Sequence, residues 1–248
     1  MASINSGVSL FDPVLAEALC KWFTPTIGAK IFDCFAGDTQ KGFVFGHCGY
    51  EFTGIELRQE QIDVNNEVLS NFNLPVKYIC DDGQNVAKHI KKDSQDLLFS
   101  CPPYFDLEVY SDNPKDASNQ DDYDGFLRIL DNALTNSIEC LKDERFSVIV
   151  VGDVRDKKTG FYHSLTGDVK DIFKRNGMLL YNELIIVEAI GTLPQRVGRY
   201  MTNRKIGKCH QNVLVFYKGD PAKIKDTFAS IDYTEEDVEK FNTTIEEG

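Results

Sequence analysis

The chain has 248 residues, 42 % of them hydrophobic and 27 % charged, with a formal net charge of −12. That is enough for one large α/β domain or two small ones, and it excludes wholesale disorder. No apolar run is long enough to cross a bilayer and no basic-then-apolar leader opens the chain, so a cytoplasmic location without a membrane partner is expected.

Strand candidates alternate with helical patterns along the chain. The first, 29–35, runs into "DCFAGDTQKG", where Asp33 and Asp38 flank a turn and Gly37 and Gly42 allow a close backbone approach. The second, 52–57, ends near Glu56, and residues 58–72 have helical spacing with Ile62, Leu69 and Phe72. The third, 76–80, ends at Asp81 and Asp82 before Gly83. The fourth, 96–100, stops at "CPPY", since two prolines cannot continue a central strand. A helix follows at 121–142, then a strand at 146–152, and a helix at 165–177 that ends on Gly177 after Lys174 and Arg175. The last strands, 184–190 and 212–218, are joined through a basic segment with no obvious long helix. Trp22 and Phe23, near the N-terminus, are expected in the core. The fold class is α/β, a doubly wound, seven-stranded, mostly parallel sheet with the last strand antiparallel.

Ligands of such sheets bind beyond the carboxyl ends of the strands. Here four successive strand ends carry polar or turn features, which points to one cleft. Glu56 is placed to accept ribose hydroxyls. The G-x-G-x-x-G spacing is absent, and carboxylates in the first turn disfavour a pyrophosphate. They suit a ligand with positive centres, such as the sulfonium and ammonium of S-adenosylmethionine. Seven cysteines without a C-x-x-C pair, and four scattered histidines, give no zinc pattern, so reduced thiols and no metal are expected. The charge is uneven. Residues 106–124 and 229–248 each hold seven acids and one lysine, whereas 191–211 hold five basic residues and no acid. That basic cluster could hold a phosphate backbone despite the net charge.

Taken together, "FDCFAG" (32–37), "FTGIEL" (52–57), "CDDG" (80–83) and "SCPPY" (100–104) resemble the motifs of DNA amino-methyltransferases of the adenine-N6 or cytosine-N4 kind. "SLFDPVLAEAL" (9–19) resembles the segment of that family that closes over the methionine end of the cofactor. "VVGDVRDKKTGFY" and "GTLPQRVGRYMTNRKIGKCHQNVLVFYKGD" look like phage-type modification methylases of restriction-modification chemistry. The chain departs from the family pattern at Cys34, where proline is common, at Thr39, often glycine, and at Cys101, usually Asp, Asn or Ser.

The resemblance implies a Rossmann-like class I methyltransferase domain over residues 1–220, with recognition loops near 105–125 and 191–211 and an acidic extension over 221–248. It implies S-adenosylmethionine as methyl donor, with S-adenosylhomocysteine as product, and DNA as partner. The lack of an inserted recognition domain makes a homodimer an expectation. Carried over residue by residue, the catalytic turn is Cys101, Pro102, Pro103 and Tyr104, with Tyr104 stacking on an extruded base. The cofactor would be held by Phe11, Asp12, Asp33, Phe35, Ala36, Gly37, Asp38, Thr39, Glu56, Leu57, Asp81, Asp82 and Ser100. Arg196, Arg199, Arg204, Lys205, Lys208 and His210 would contact DNA. Methylation of RNA or another amino substrate, and a non-catalytic methylase-like binding protein, are the alternatives.

Overall fold

The computed structural model describes residues 11–105, 111–187, 191 and 193–231. Helix α1 (Pro13–Phe23) starts on a proline, and the Asp12 carboxylate accepts from the Leu15 N–H at 3.0 Å. These are an N-cap and a first-turn residue that satisfy helix-start geometry. Strands β1 (Lys30–Asp33), β2 (Glu51–Glu56), β3 (Val76–Cys80) and β4 (Gln95–Ser100) alternate with helices α2 (Gln40–His47), α3 (Gln59–Leu69) and the short α4 (Val86–His89). Helix α5 (Tyr123–Cys140) leads into β5 (Leu141–Val151). A hairpin of β6 (Val154–Arg155) and β7 (Tyr162–His163) follows, then α6 (Leu165–Arg175), β8 (Leu179–Val187), α7 (Leu193–Thr202), β9 (His210–Lys218) and the short α8 (Ile224–Thr227).

The seven-stranded sheet has the order β3-β2-β1-β4-β5-β9-β8. Neighbours from β3 to β5 are parallel; β9 runs antiparallel to both β5 and β8. This is the expected seven-stranded sheet with its last strand reversed. Alternate side chains leave each strand on opposite faces. Phe32, Leu98 and Ile149 join a core beneath α5 and α6, while Ile31, Leu97, Phe99 and Val148 join a core against α1 and α2. The central strand β4 is buried along its whole length. Complete burial of a Leu or Phe contributes about 1.5–3 kcal/mol.

Several boundaries differ from the expectation. Strand β5 begins at Leu141, with no residue between it and α5, because Leu141 already pairs with Gln95. Strand β8 begins at Leu179 rather than 184. It is an edge strand with mostly exposed side chains, and Asn182 and Glu183 interrupt its apolar residues, so only the part after them reads as an apolar run. Residues 188–190, expected as its end, lie outside the described residues. The basic segment contains α7, obscured in the sequence by Pro194 and Gly198; the proline sits in the first turn, where it is tolerated. Trp22 is 44 % exposed rather than in the core, whereas Phe23 is buried. Ile224 and Phe228 pack on the core beside Phe146, so the segment after 220 begins as part of the domain. The acidic tail from 232 lies outside the described residues, as do residues 106–110 of the first expected recognition loop.

Candidate active site

The carboxyl ends of β1, β2, β4 and β5 and the start of β9 open onto one cleft of about 1000 Å³. Glu56 and Tyr104 both line it, so the expected cofactor side and the expected base side share a pocket.

The loop after β1 is held from every side. Ala36 N–H donates to the Ile55 carbonyl at 2.9 Å, and Gly37 N–H donates to Glu56 Oε2 at 3.0 Å. The buried Asn65 amide donates to the Gly37 carbonyl at 2.8 Å, and the Tyr78 hydroxyl donates to the Asp38 carbonyl at 3.2 Å. Gly37 has φ +63°, a conformation that favours glycine. At Gly83 a Cβ would lie 2.3 Å from the Cys34 carbonyl oxygen, so the turn after β3 can close on this loop only without a side chain.

Of the residues expected to hold a cofactor, Phe11, Asp12, Phe35, Ala36, Gly37, Asp38, Glu56, Leu57 and Asp82 line the cleft. The others do not. Asp33 and Ser100 are fully buried behind its wall. Asp33 accepts from Ser100 Oγ at 2.6 Å, from Phe35 N–H at 2.8 Å and from Lys41 Nζ at 2.5 Å. Its carboxylate therefore builds the loop. Thr39 precedes α2, and its side chain makes no capping bond there. Asp81 faces Asn85 and His89, and those hydrogen bonds, led by the 2.6 Å contact with His89, hold its carboxyl down at about 2. Glu56 is also partly engaged: Oε1 accepts from the Arg58 N–H at 3.0 Å and from Arg58 Nε at 3.1 Å. Together with Gly37, these donors use about three of its roughly four acceptor positions.

The proline turn stands beside this loop, because β4 pairs directly with β1. Cys101, Pro102, Pro103 and Tyr104 all line the cleft. The Tyr104 hydroxyl donates to Gln211 Oε1 at 2.5 Å, which fixes the ring between β4 and β9. Burial pushes the Cys101 thiol above its ordinary range, with Lys41 opposing, so it is a neutral thiol at pH 7. A neutral thiol is a weak acceptor and a poor nucleophile.

The expected DNA contacts divide. Lys205, Lys208 and His210 line the cleft; Arg196, Arg199 and Arg204 are exposed on α7 and the turn after it, outside the lining. Arg155, Lys157 and Lys115 also line it. Asp38, Glu56 and Asp82 thus mark the half at β1–β3, with Lys41 and Arg58 paired to Asp33 and Glu56 there, whereas in the half beyond Tyr104 lysine and arginine outnumber the acids Asp116 and Asp153. Sequence reasoning missed Lys41, Arg58, Asn65 and Gln211. Lys41 is 4 % exposed, and although burial disfavours its ammonium, the neighbouring groups together, Asp33 foremost, outweigh it and raise its pKa. The only signal for these four was position: each lies on an element flanking a recognised strand end. Among the described residues, no cluster of three or more His, Cys, Asp or Glu is arranged to hold a metal ion, every cysteine is a free thiol, and no helix is long and apolar enough to cross a membrane.

No protein-family model and no curated protein matches the sequence. Solved structures do. TrmN from Thermus thermophilus is 14 % identical with a TM-score of 0.56, over 86 % of this chain and 51 % of that one, so this chain spans about half its length. A proposed rRNA methylase from Clostridium thermocellum is 14 % identical with a TM-score of 0.54, over 86 % and 99 % of the two chains. A TehB-like SAM-dependent methyltransferase from Corynebacterium glutamicum is 19 % identical with a TM-score of 0.51, over 86 % and 90 %. At such identities the likeness concerns the backbone path alone. With its strand order and its reversed β9, the chain has the class I methyltransferase fold.

Proposed function

We propose that the protein transfers a methyl group from S-adenosylmethionine to the exocyclic amino group of a nucleobase, adenine N6 or cytosine N4, in DNA. The observation that carries this reading is the division of one cleft by charge, with the aromatic-capped proline turn at the boundary. The acid-lined half fits the donor. Asp38, Glu56 and Asp82 offer acceptors to its ammonium and ribose hydroxyls, and Gly37, with open space where a Cβ would stand, leaves room for close backbone approach. The donor supplies an activated methyl group; the rest is positioning by the chain. Tyr104 stacks on the extruded base, an interaction worth about 1–3 kcal/mol. The Pro102 carbonyl accepts a hydrogen bond from the amine and directs its lone pair into the cleft. When bound, the donor would give its methyl carbon to that nitrogen and leave as S-adenosylhomocysteine, and the amine proton would pass to solvent. Because Cys101 is neutral, the carbonyl does most of the orienting.

A second reading, methylation of RNA at the same site, draws on the solved structure described as a proposed rRNA methylase. One assay separates the two. Labelled S-adenosylmethionine is incubated with unmodified DNA and, separately, with unmodified RNA, and the nucleosides are identified by mass spectrometry. N6-methyladenine or N4-methylcytosine in DNA supports the first reading. Label confined to RNA selects the second, and cofactor binding without transfer to either would leave another amino substrate or a non-catalytic protein.

A further inference from the structure

The β6–β7 hairpin belongs to neither the cofactor loop nor the proline turn, and it stands at the rim of the cleft. Val154 pairs with His163 and Arg155 with Tyr162; Arg155, Lys157 and Tyr162 line the basic half. Its tip is stiff. The Asp156 N–H donates to the Phe161 carbonyl at 2.9 Å, and the Gly160 N–H donates to the Asp156 carbonyl at 2.8 Å. The Asp156 carboxylate accepts from the N–H groups of Lys158 at 3.0 Å and Thr159 at 2.5 Å. The Arg155 guanidinium donates to the Gly160 carbonyl at 2.9 Å and lies 3.9 Å over the Tyr162 ring. Gly160 takes φ +78°, and Lys205 Nζ crowds it so closely that a Cβ there would lie 2.7 Å away.

What this stiff arm presents is Phe161, 78 % exposed, beside the exposed Lys157 and Lys158. A single exposed phenylalanine is ordinary. One at the foot of the turn of a pinned, lysine-bearing hairpin beside the cleft has the parts of an intercalating device: an apolar wedge, cations for the flanking phosphates, and little conformational entropy to lose on insertion. We propose that Phe161 enters the base stack of duplex DNA and holds open the gap left when the target base turns into the cleft. The inference rests on the function proposed above and deepens it. An unpaired base needs no wedge, so the hairpin assigns the substrate as a duplex.

The test uses the full chain and one preparation of unmodified genomic DNA, native or heat-denatured, so that both forms contain the same sequences. Phe161→Ala should lower methyl transfer to native DNA at least tenfold while changing transfer to denatured DNA less than twofold. Phe161→Leu, which keeps an apolar wedge, should recover most of the loss. Equal loss on both forms, or no loss on the duplex, overturns the inference and leaves amino methylation standing. A second readout is independent of catalysis. In a Trp22→Phe background, the emission of a Phe161→Trp reporter should be quenched on titration with duplex and less so with single strands. If the parent methylates no nucleic acid, the functional reading falls and this titration alone decides the wedge. A reporter that duplex leaves unchanged, or one already blue-shifted in a protein of dimer mass, overturns it.

Discussion

Asp33→Asn tests whether the cofactor loop is built on a buried charge pair. Asp33 is 0 % exposed and its partner Lys41 is 4 % exposed, so neither can turn to water without opening the loop. The carboxylate accepts three hydrogen bonds, from Ser100, Phe35 and Lys41, and only Lys41 carries a compensating charge. An amide of the same shape strands the ammonium and presents an N–H₂ group to donors. Breaking a buried pair in this way costs about 3–5 kcal/mol, a large share of the roughly 5–15 kcal/mol typical of a whole domain. With a urea slope of about 3 kcal/mol per molar, the unfolding midpoint should fall by about 1–1.7 M. Urea unfolding followed by circular dichroism reads this directly. Asp33→Asn combined with Lys41→Met removes the stranded charge and should recover much of the loss, giving a strongly non-additive cycle. A single-mutant cost below about 1 kcal/mol, or simple additivity, would refute the reasoning.

Other outcomes follow from the same geometry. Tyr104→Ala should lower methyl transfer about 5- to 150-fold while leaving S-adenosylhomocysteine affinity within about twofold, as stacking of about 1–3 kcal/mol is lost only from the base side; Glu56→Ala should instead weaken that affinity by tenfold or more, measured by calorimetry. Gly83→Ala should destabilise the domain by about 1–3 kcal/mol, as an overpacked site does, because its Cβ would meet the Cys34 carbonyl, which is backbone and cannot swing aside; an unchanged melting temperature would contradict the close approach. Asp81 titrates at about 2 in the folded chain against an ordinary 3.8, so its contribution is complete above the ordinary value and is lost as pH falls toward 2. The stability gap between the parent and Asp81→Asn should therefore shrink between pH 4 and 2; a constant gap would show that His89 does not hold the carboxylate in solution.

The sheet was legible because its central strands are continuous apolar runs, and Leu97, Leu98 and Phe99 could hardly be anything else. The strand ends that carry the cleft were legible for a related reason: a polar residue or a proline pair directly after such a run has few structural uses. The edge was not. In β8, Leu179, Leu180 and Tyr181 are all exposed and are cut off from the later apolar residues by Asn182 and Glu183, so periodicity places the strand too late. Depth along a strand was also hidden. Asp33 and Glu56 both sit at strand ends, yet one is sealed behind the wall and the other lines the opening: Asp33 pairs with Gly54, so Glu56 lies on the same face two residues farther out. Gln211 could not be foreseen as the partner of Tyr104, since the two are 107 positions apart and meet only through the reversed strand.

That reversal has a consequence for how such a protein could acquire a new target. Parallel strands reach the opening with their last residues, but β9 leaves it with its first, so α7 and the described residues that follow it up to His210 project there as one excursion. It could be lengthened, trimmed or traded for another without shifting one rung of the ladder beneath. Choice of target and transfer chemistry would then evolve on separate stretches of the same polypeptide.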